Sequence, residues 1–159
     1  MEFINLETLY NEKIVFDFNG REEDIGINGV WFLKTEDLNF GKDYIMSRSF
    51  YLDDQRIELN EEIMVENLFL YGFSENQNQN MQIIINDKII YKIRVPDWGN
   101  SYILKKDRVH TKIYRHLSSN IGKQLTIYET ILKLPKETNI RNIEFMFNPC
   151  VHIVAIGFD

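Results

Sequence analysis

Residues 81–95 read Met-Gln-Ile-Ile-Ile-Asn-Asp-Lys-Ile-Ile-Tyr-Lys-Ile-Arg-Val, two isoleucine-rich runs on either side of Asn86-Asp87. β-Branched side chains fit a pleated, half-buried surface, while Asn and Asp tolerate the positive φ of a tight hairpin turn. The stretch predicts a hairpin of Met81–Ile85 against Lys88–Val95. Pro96 ends it, because proline has no amide to donate to a ladder. Outward from this hairpin, alternation with period two recurs in short segments. Lys13–Phe18 sets Ile14, Phe16 and Phe18 on one face, and Val30–Leu33 follows the turn dipeptide Asn28-Gly29. Tyr44–Leu52 and Gln55–Leu59 flank Asp53-Asp54, which predicts a hairpin, and Glu66–Phe73 alternates Leu68 and Leu70 with Phe69, Tyr71 and Phe73. Downstream, Thr111–Leu117, Gln124–Leu134, Asn142–Asn148 and Val151–Phe158 complete the set of predicted strands. Ser74–Asn80 reads as a polar loop tip, and Leu6–Asn11 as a single helical turn.

Strands of this length, with turn signals at roughly 8–12-residue spacing, predict an all-β antiparallel sandwich or barrel. The 159 residues amount to one domain, 1–159, since domains commonly run to roughly 100–200 residues. Composition agrees. The chain is 44% hydrophobic and 13% aromatic, with 22 isoleucines and a single alanine, Ala155. It is rich in core material and nearly empty of the best helix former.

A net charge of −6 would repel a phosphate backbone, so no nucleic-acid partner is expected. The densest basic cluster, Lys105, Lys106 and Arg108, contains Asp107 and reads as a solvated loop. Cys150 is the only cysteine, which forbids an intrachain disulfide, and its apolar setting predicts a small buried hydrophobe. No stretch approaches the ~18 apolar residues of a membrane span, and the first residues lack the apolar core of a signal peptide. The expectation is a soluble, cytoplasmic protein without a membrane partner.

Candidate chemistry is local. Glu22, Glu23 and Asp24 form an acidic loop whose oxygens suit a structural Ca²⁺. His110 and His116 share a strand face but stand about 20 Å apart, too far to hold one metal. His152, within an apolar strand, reads as a buried structural histidine. The richest grouping is Pro96–Tyr102. There Trp98 and Tyr102 would stack on a sugar ring while Asp97 and Asn100 hydrogen-bond its hydroxyls. Trp31 and Arg115 are comparable polar–aromatic positions. Trp98 has an equally simple use as a plug for the end of the core, and Arg115 either pairs in the interior or points into a cleft.

These segments carry a family resemblance. Ile4-Asn5-Leu6, Tyr10-Asn11, Asn28-Gly29-Val30-Trp31-Phe32, Val95-Pro96-Asp97-Trp98 and Val151–Ile156 occur in the order found in galactose-binding-like jelly-roll domains. Glu66–Gly72 and Ile89–Val95 resemble that family's central strands, and Leu134-Pro135 with Ile140–Phe147 its approach to the last strand. Such domains accompany bacterial glycoside hydrolases. The resemblance implies a jelly-roll β-sandwich, a non-catalytic carbohydrate-binding role and a structural Ca²⁺.

Fold alone does not set function. Besides a carbohydrate-binding module, the residues allow an interaction or homo-oligomer-forming sandwich that uses exposed strand edges. They also allow a small glycan-processing or tailoring enzyme built on Asp97 with His110 or His116.

Overall fold

A computed structural model describes residues 1–6, 12–13, 15–16, 31–32, 48–52, 55–74, 77–99, 108–115 and 123–159. Within them the chain is all-β and contains no helix. The strands are β1 (Glu2–Phe3), β2 (Glu12–Lys13), β3 (Val15–Phe16), β4 (Trp31–Phe32) and β5 (Arg48–Leu52). They continue with β6 (Arg56–Ser74), β7 (Gln79–Ile85), β8 (Ile89–Val95), β9 (Arg108–Arg115), β10 (Lys123–Phe145) and β11 (Asn148–Phe158). The main sheet runs β2-β5-β11-β6-β10-β7-β8, with β1 on β11 and β9 on β10, and every pairing in it is antiparallel. β3 and β4 form a separate parallel pair, Val15 opposite Trp31. No helix among the described residues is long and apolar enough to cross a membrane.

The predicted hairpin is present. Ile83 lies opposite Tyr91 and Ile85 opposite Ile89. Asn86 and Asp87 adopt φ of 54° and 61° at the turn, and the Lys88 amide donates to the Ile85 carbonyl at 3.2 Å. The spine, however, is longer than alternation suggests. Gln55–Leu59 and Glu66–Phe73 merge into β6, and Gln124–Leu134 and the first part of Asn142–Asn148, up to Phe145, into β10, while Asn148 begins β11. The sequence signals read as breaks are bulges. Between Lys133 and Thr138 the register jumps, so that Lys133 faces Asn67 but Thr138 faces Val65. Pro135 and Glu137, at φ 59°, sit in that jump, and the Thr138 hydroxyl donates to the Pro135 carbonyl at 2.6 Å. Proline is tolerated there because the ladder is already interrupted.

Both faces of the spine are covered. On one, Leu68, Leu70, Leu132, Val151, Ile153 and Ile156 pack with Met81, Ile83, Ile85, Ile93 and Val95 of the hairpin. Register partners share a face, so Phe69, Tyr71 and Phe73 fall on the other with His152 and Ala155. All five are buried. Two covered faces explain the unbroken burial of Val151–Gly157, which reads as a continuous apolar run rather than an alternation.

Two further expectations change. The Ser74–Asn80 loop is shorter than predicted, since Ser74 ends β6, fully buried, and Gln79 and Asn80 begin β7. Cys150 is half-buried rather than buried. Residues 7–11 of the predicted helical turn Leu6–Asn11 lie outside the described residues, and Leu6 is buried in the core. The hairpin expected across Asp53-Asp54 is not formed, since β5 pairs with β2 and β11 and β11 lies between β5 and β6.

Candidate functional site

The Pro96–Trp98 segment, expected to display a ring at a loop tip, runs instead between two strands of the spine. The Trp98 amide donates to the Ser74 carbonyl at 2.9 Å, and the Trp98 carbonyl accepts from the Thr126 amide at 2.8 Å. The Ser74 amide in turn donates to the Pro96 carbonyl at 2.9 Å. Trp98 is 7% exposed. Its indole lies flat on Phe73, with ring centroids 4.4 Å apart and planes at 3°, and Phe73 stacks its ring on His152 at 5.0 Å. This is the plug placement for Trp98, not a ring offered to a sugar.

Asp97 has a structural task too. Its carboxylate accepts the Gln77 amide and the Gly99 amide, both at 2.6 Å, and its own amide donates to the Asn78 side chain at 3.0 Å. A carboxylate that accepts main-chain amides at this distance ties a loop together. His152 is 2% exposed, as expected of a structural histidine. Trp31 lies in β4, opposite Val15. Arg115 ends β9 opposite Lys123, and His110 lies within β9. Asn100, Tyr102 and His116 lie outside the described residues, as do Glu22, Glu23 and Asp24 with the Ca²⁺ expectation attached to them.

At the other end of the hairpin, Asn86 fastens the turn to β10. Its side-chain oxygen accepts the Arg141 amide at 2.8 Å, and its side-chain nitrogen donates to the Asn139 carbonyl at 2.6 Å. The second bulge of β10, between Ile140 and Asn142, exposes these main-chain groups, so the asparagine supplies partners the ladder no longer offers. Asp87 pairs with Arg56, which also binds Glu58. Hydrogen bonds from Arg56, and then from Asn142, hold the Asp87 carboxyl below its ordinary 3.8.

Between these two fastenings β8 and β10 part. Beyond β8 the chain crosses to Trp98, which lies between Ser74 and Thr126, and at the other end the Tyr91 hydroxyl donates to the Lys133 carbonyl at 2.8 Å. The intervening opening, of about 1030 Å³, is bordered by residues 91–94 and 128–133 together with Asn80 and Pro96. Consecutive side chains of a strand point to opposite faces, so a sheet face exposes alternate residues. Unbroken runs therefore mean that two strand edges border the opening. Among the described residues β8 has only β7 beside it, and residues 130–133 have β6 on one side and no strand on the other. The six residues 128–133, at ~3.3 Å each, give a length of about 20 Å.

The walls are mixed. Ile93 and Leu132 are buried parts of the core, while Lys92, Arg94, Lys133 and Glu129 carry charge. Glu129 accepts the Tyr71 hydroxyl at 3.0 Å. Burial pushes the Tyr91 phenol above its ordinary 10.0. These border residues were not singled out in the sequence, because a strand edge alternates in the same way whether or not a neighbour pairs with it. No protein-family model matches the chain, and no curated protein matches it either.

Proposed function

We propose that this protein is a non-catalytic binding module that takes an extended polypeptide strand into the opening between β8 and β10. One observation carries the reading: unbroken residue runs from two strand edges border a single opening. Strand edges present rows of main-chain donors and acceptors that a further strand satisfies. The length of about 20 Å accepts roughly six extended residues at ~3.3 Å each. Of the functions the sequence allows, this is the interaction module.

A carbohydrate ligand is the second reading. It draws on the jelly-roll resemblance and on Asn80, Thr130 and Tyr91, which give the same opening hydroxyl partners and a ring. With Trp98 packed on Phe73, such a ligand would use these residues instead of the Asp97–Trp98 segment.

Parallel binding screens on a random decapeptide array and a glycan array separate the two. Ile131→Pro is the diagnostic variant. Lys133 turns its carbonyl towards Tyr91, so the amide of Ile131, two residues away, faces the opening as well. Proline there removes an edge donor without breaking a bond to β6. The expected result is peptide binding that Ile131→Pro abolishes while circular dichroism is unchanged. Glycan binding alone would replace the first reading with the second.

A further inference from the structure

We infer that the strand taken up between β8 and β10 alternates apolar side chains with carboxylates. This rests on the strand-addition reading and names the chemistry of its partner.

The two sides of the opening differ. On the core side stand Ile93, at 8% exposure, and Leu132, at 3%, both members of the apolar cluster. Thr130 lies on the same side as Leu132, since their register partners are Leu70 and Leu68. On the opposite side, one residue along each strand, stand Lys92 and Arg94 of β8 and Lys133 of β10. Lys92 and Lys133 are exposed. An inserted strand lies in the plane of both edges, so its side chains alternate between these two environments. Those turned inward meet Ile93 and Leu132. Those turned outward meet, among the described residues, Lys92, Arg94 and Lys133, together with Ile131 and with Glu129, which already accepts the Tyr71 hydroxyl.

The local charge runs against the whole. Among the described residues of the border, Lys92 and Lys133 are exposed cations set against the single carboxylate of Glu129, in a chain of net −6. A cationic border on an acidic protein selects an anionic partner, because charge complementarity sets specificity and on-rate. Cross-strand pairs of opposite charge stabilise a ladder and like charges oppose it.

The test uses two end-capped hexapeptides, (Glu-Val)₃ and (Lys-Val)₃, with binding followed by isothermal titration at low salt. Both have the same apolar face and the same main chain. The expected result is that (Glu-Val)₃ binds at least tenfold more tightly, with its affinity falling as salt is added. In the double variant Lys92→Glu/Lys133→Glu the preference should reverse, with thermal melting confirming that the exposed substitutions leave the fold intact. Equal affinity for the two peptides overturns the inference about charge while leaving strand addition standing. Binding of neither, by wild type or variant, overturns strand addition itself. A tetragalacturonate that binds where (Glu-Val)₃ does not overturns the polypeptide occupant in favour of an acidic saccharide.

Discussion

The Trp98 indole lies parallel to the Phe73 ring, 4.4 Å from it, at the point where Trp98 bonds Ser74 on one strand and Thr126 on another. The ring closes the end of the spine and holds one end of the β8–β10 opening in place. Trp98→Ala should cost about 3–5 kcal/mol, the usual range for emptying a buried tryptophan site. Chemical denaturation reads it directly. An unchanged midpoint would mean that the ring is not part of the core.

Gly72 sits where β6 passes β11. A Cβ there would be driven into the His152 carbonyl, with the Ile153 side chain 3.1 Å away. Since a backbone oxygen cannot swing aside like the end of a side chain, Gly72→Ala should destabilise by about 1–3 kcal/mol. Its denaturation midpoint should fall although only one methyl group is added. A midpoint equal to wild type would show that the two strands have room to move apart.

Asn86 has two separable tasks, the positive φ of the turn and the bonds that fasten it to β10. Asn86→Gly keeps the first and loses the second, so its cost, about 1–3 kcal/mol, measures the fastening alone. Asn86→Ala loses both and should be worse. Equal stability of the glycine variant and wild type would remove the fastening from the account.

Asp87 titrates below its ordinary 3.8 because Arg56 hydrogen-bonds its ionised form. A depressed carboxyl contributes stability that is complete above its unfolded value and is lost as pH falls through the folded one. The contribution therefore disappears below pH 3.8, and Asp87→Asn should flatten that part of the acid limb. The pair is exposed, so the change is small. A steeper acid limb in the variant would contradict the assignment.

Tyr91 shows the opposite sign. Burial raises its phenol above 10.0, so its neutral form is favoured on folding. The linked stability is complete below pH 10 and falls as pH climbs through the folded value. Tyr91→Phe should cost about 1 kcal/mol for the bond to Lys133. It should also remove a late-ionising phenol from the ultraviolet titration. Loss of a phenol that ionises at the ordinary value would place Tyr91 in open water.

Much of the fold was legible because it is written locally. Asn86-Asp87 between isoleucine runs specifies its own turn, and Val151–Ile156 announces a buried strand. Strand length was not legible. Pro135 and Glu137 carry the same signals whether they end a strand or sit in a bulge, and only the partner strand decides. Trp98 shows why the site was harder still. The Asp-Trp pair after a strand end suits a sugar platform and a core plug equally, and Phe73, 25 positions earlier, settles which. The opening had no local signal at all. It lies between β8 and β10, joined where the Tyr91 hydroxyl meets the Lys133 carbonyl, a relationship between strands distant in sequence.

The most direct test is amide hydrogen exchange at residues 130–133, with and without saturating (Glu-Val)₃. The account predicts that the Ile131 and Lys133 amides, which face the opening, exchange quickly in the protein alone and slow markedly when the peptide is present. The amides of Thr130 and Leu132, turned towards β6, should be slow in both. Ile131 and Lys133 amides that are slow without peptide, or unchanged by it, would contradict an edge that accepts a strand.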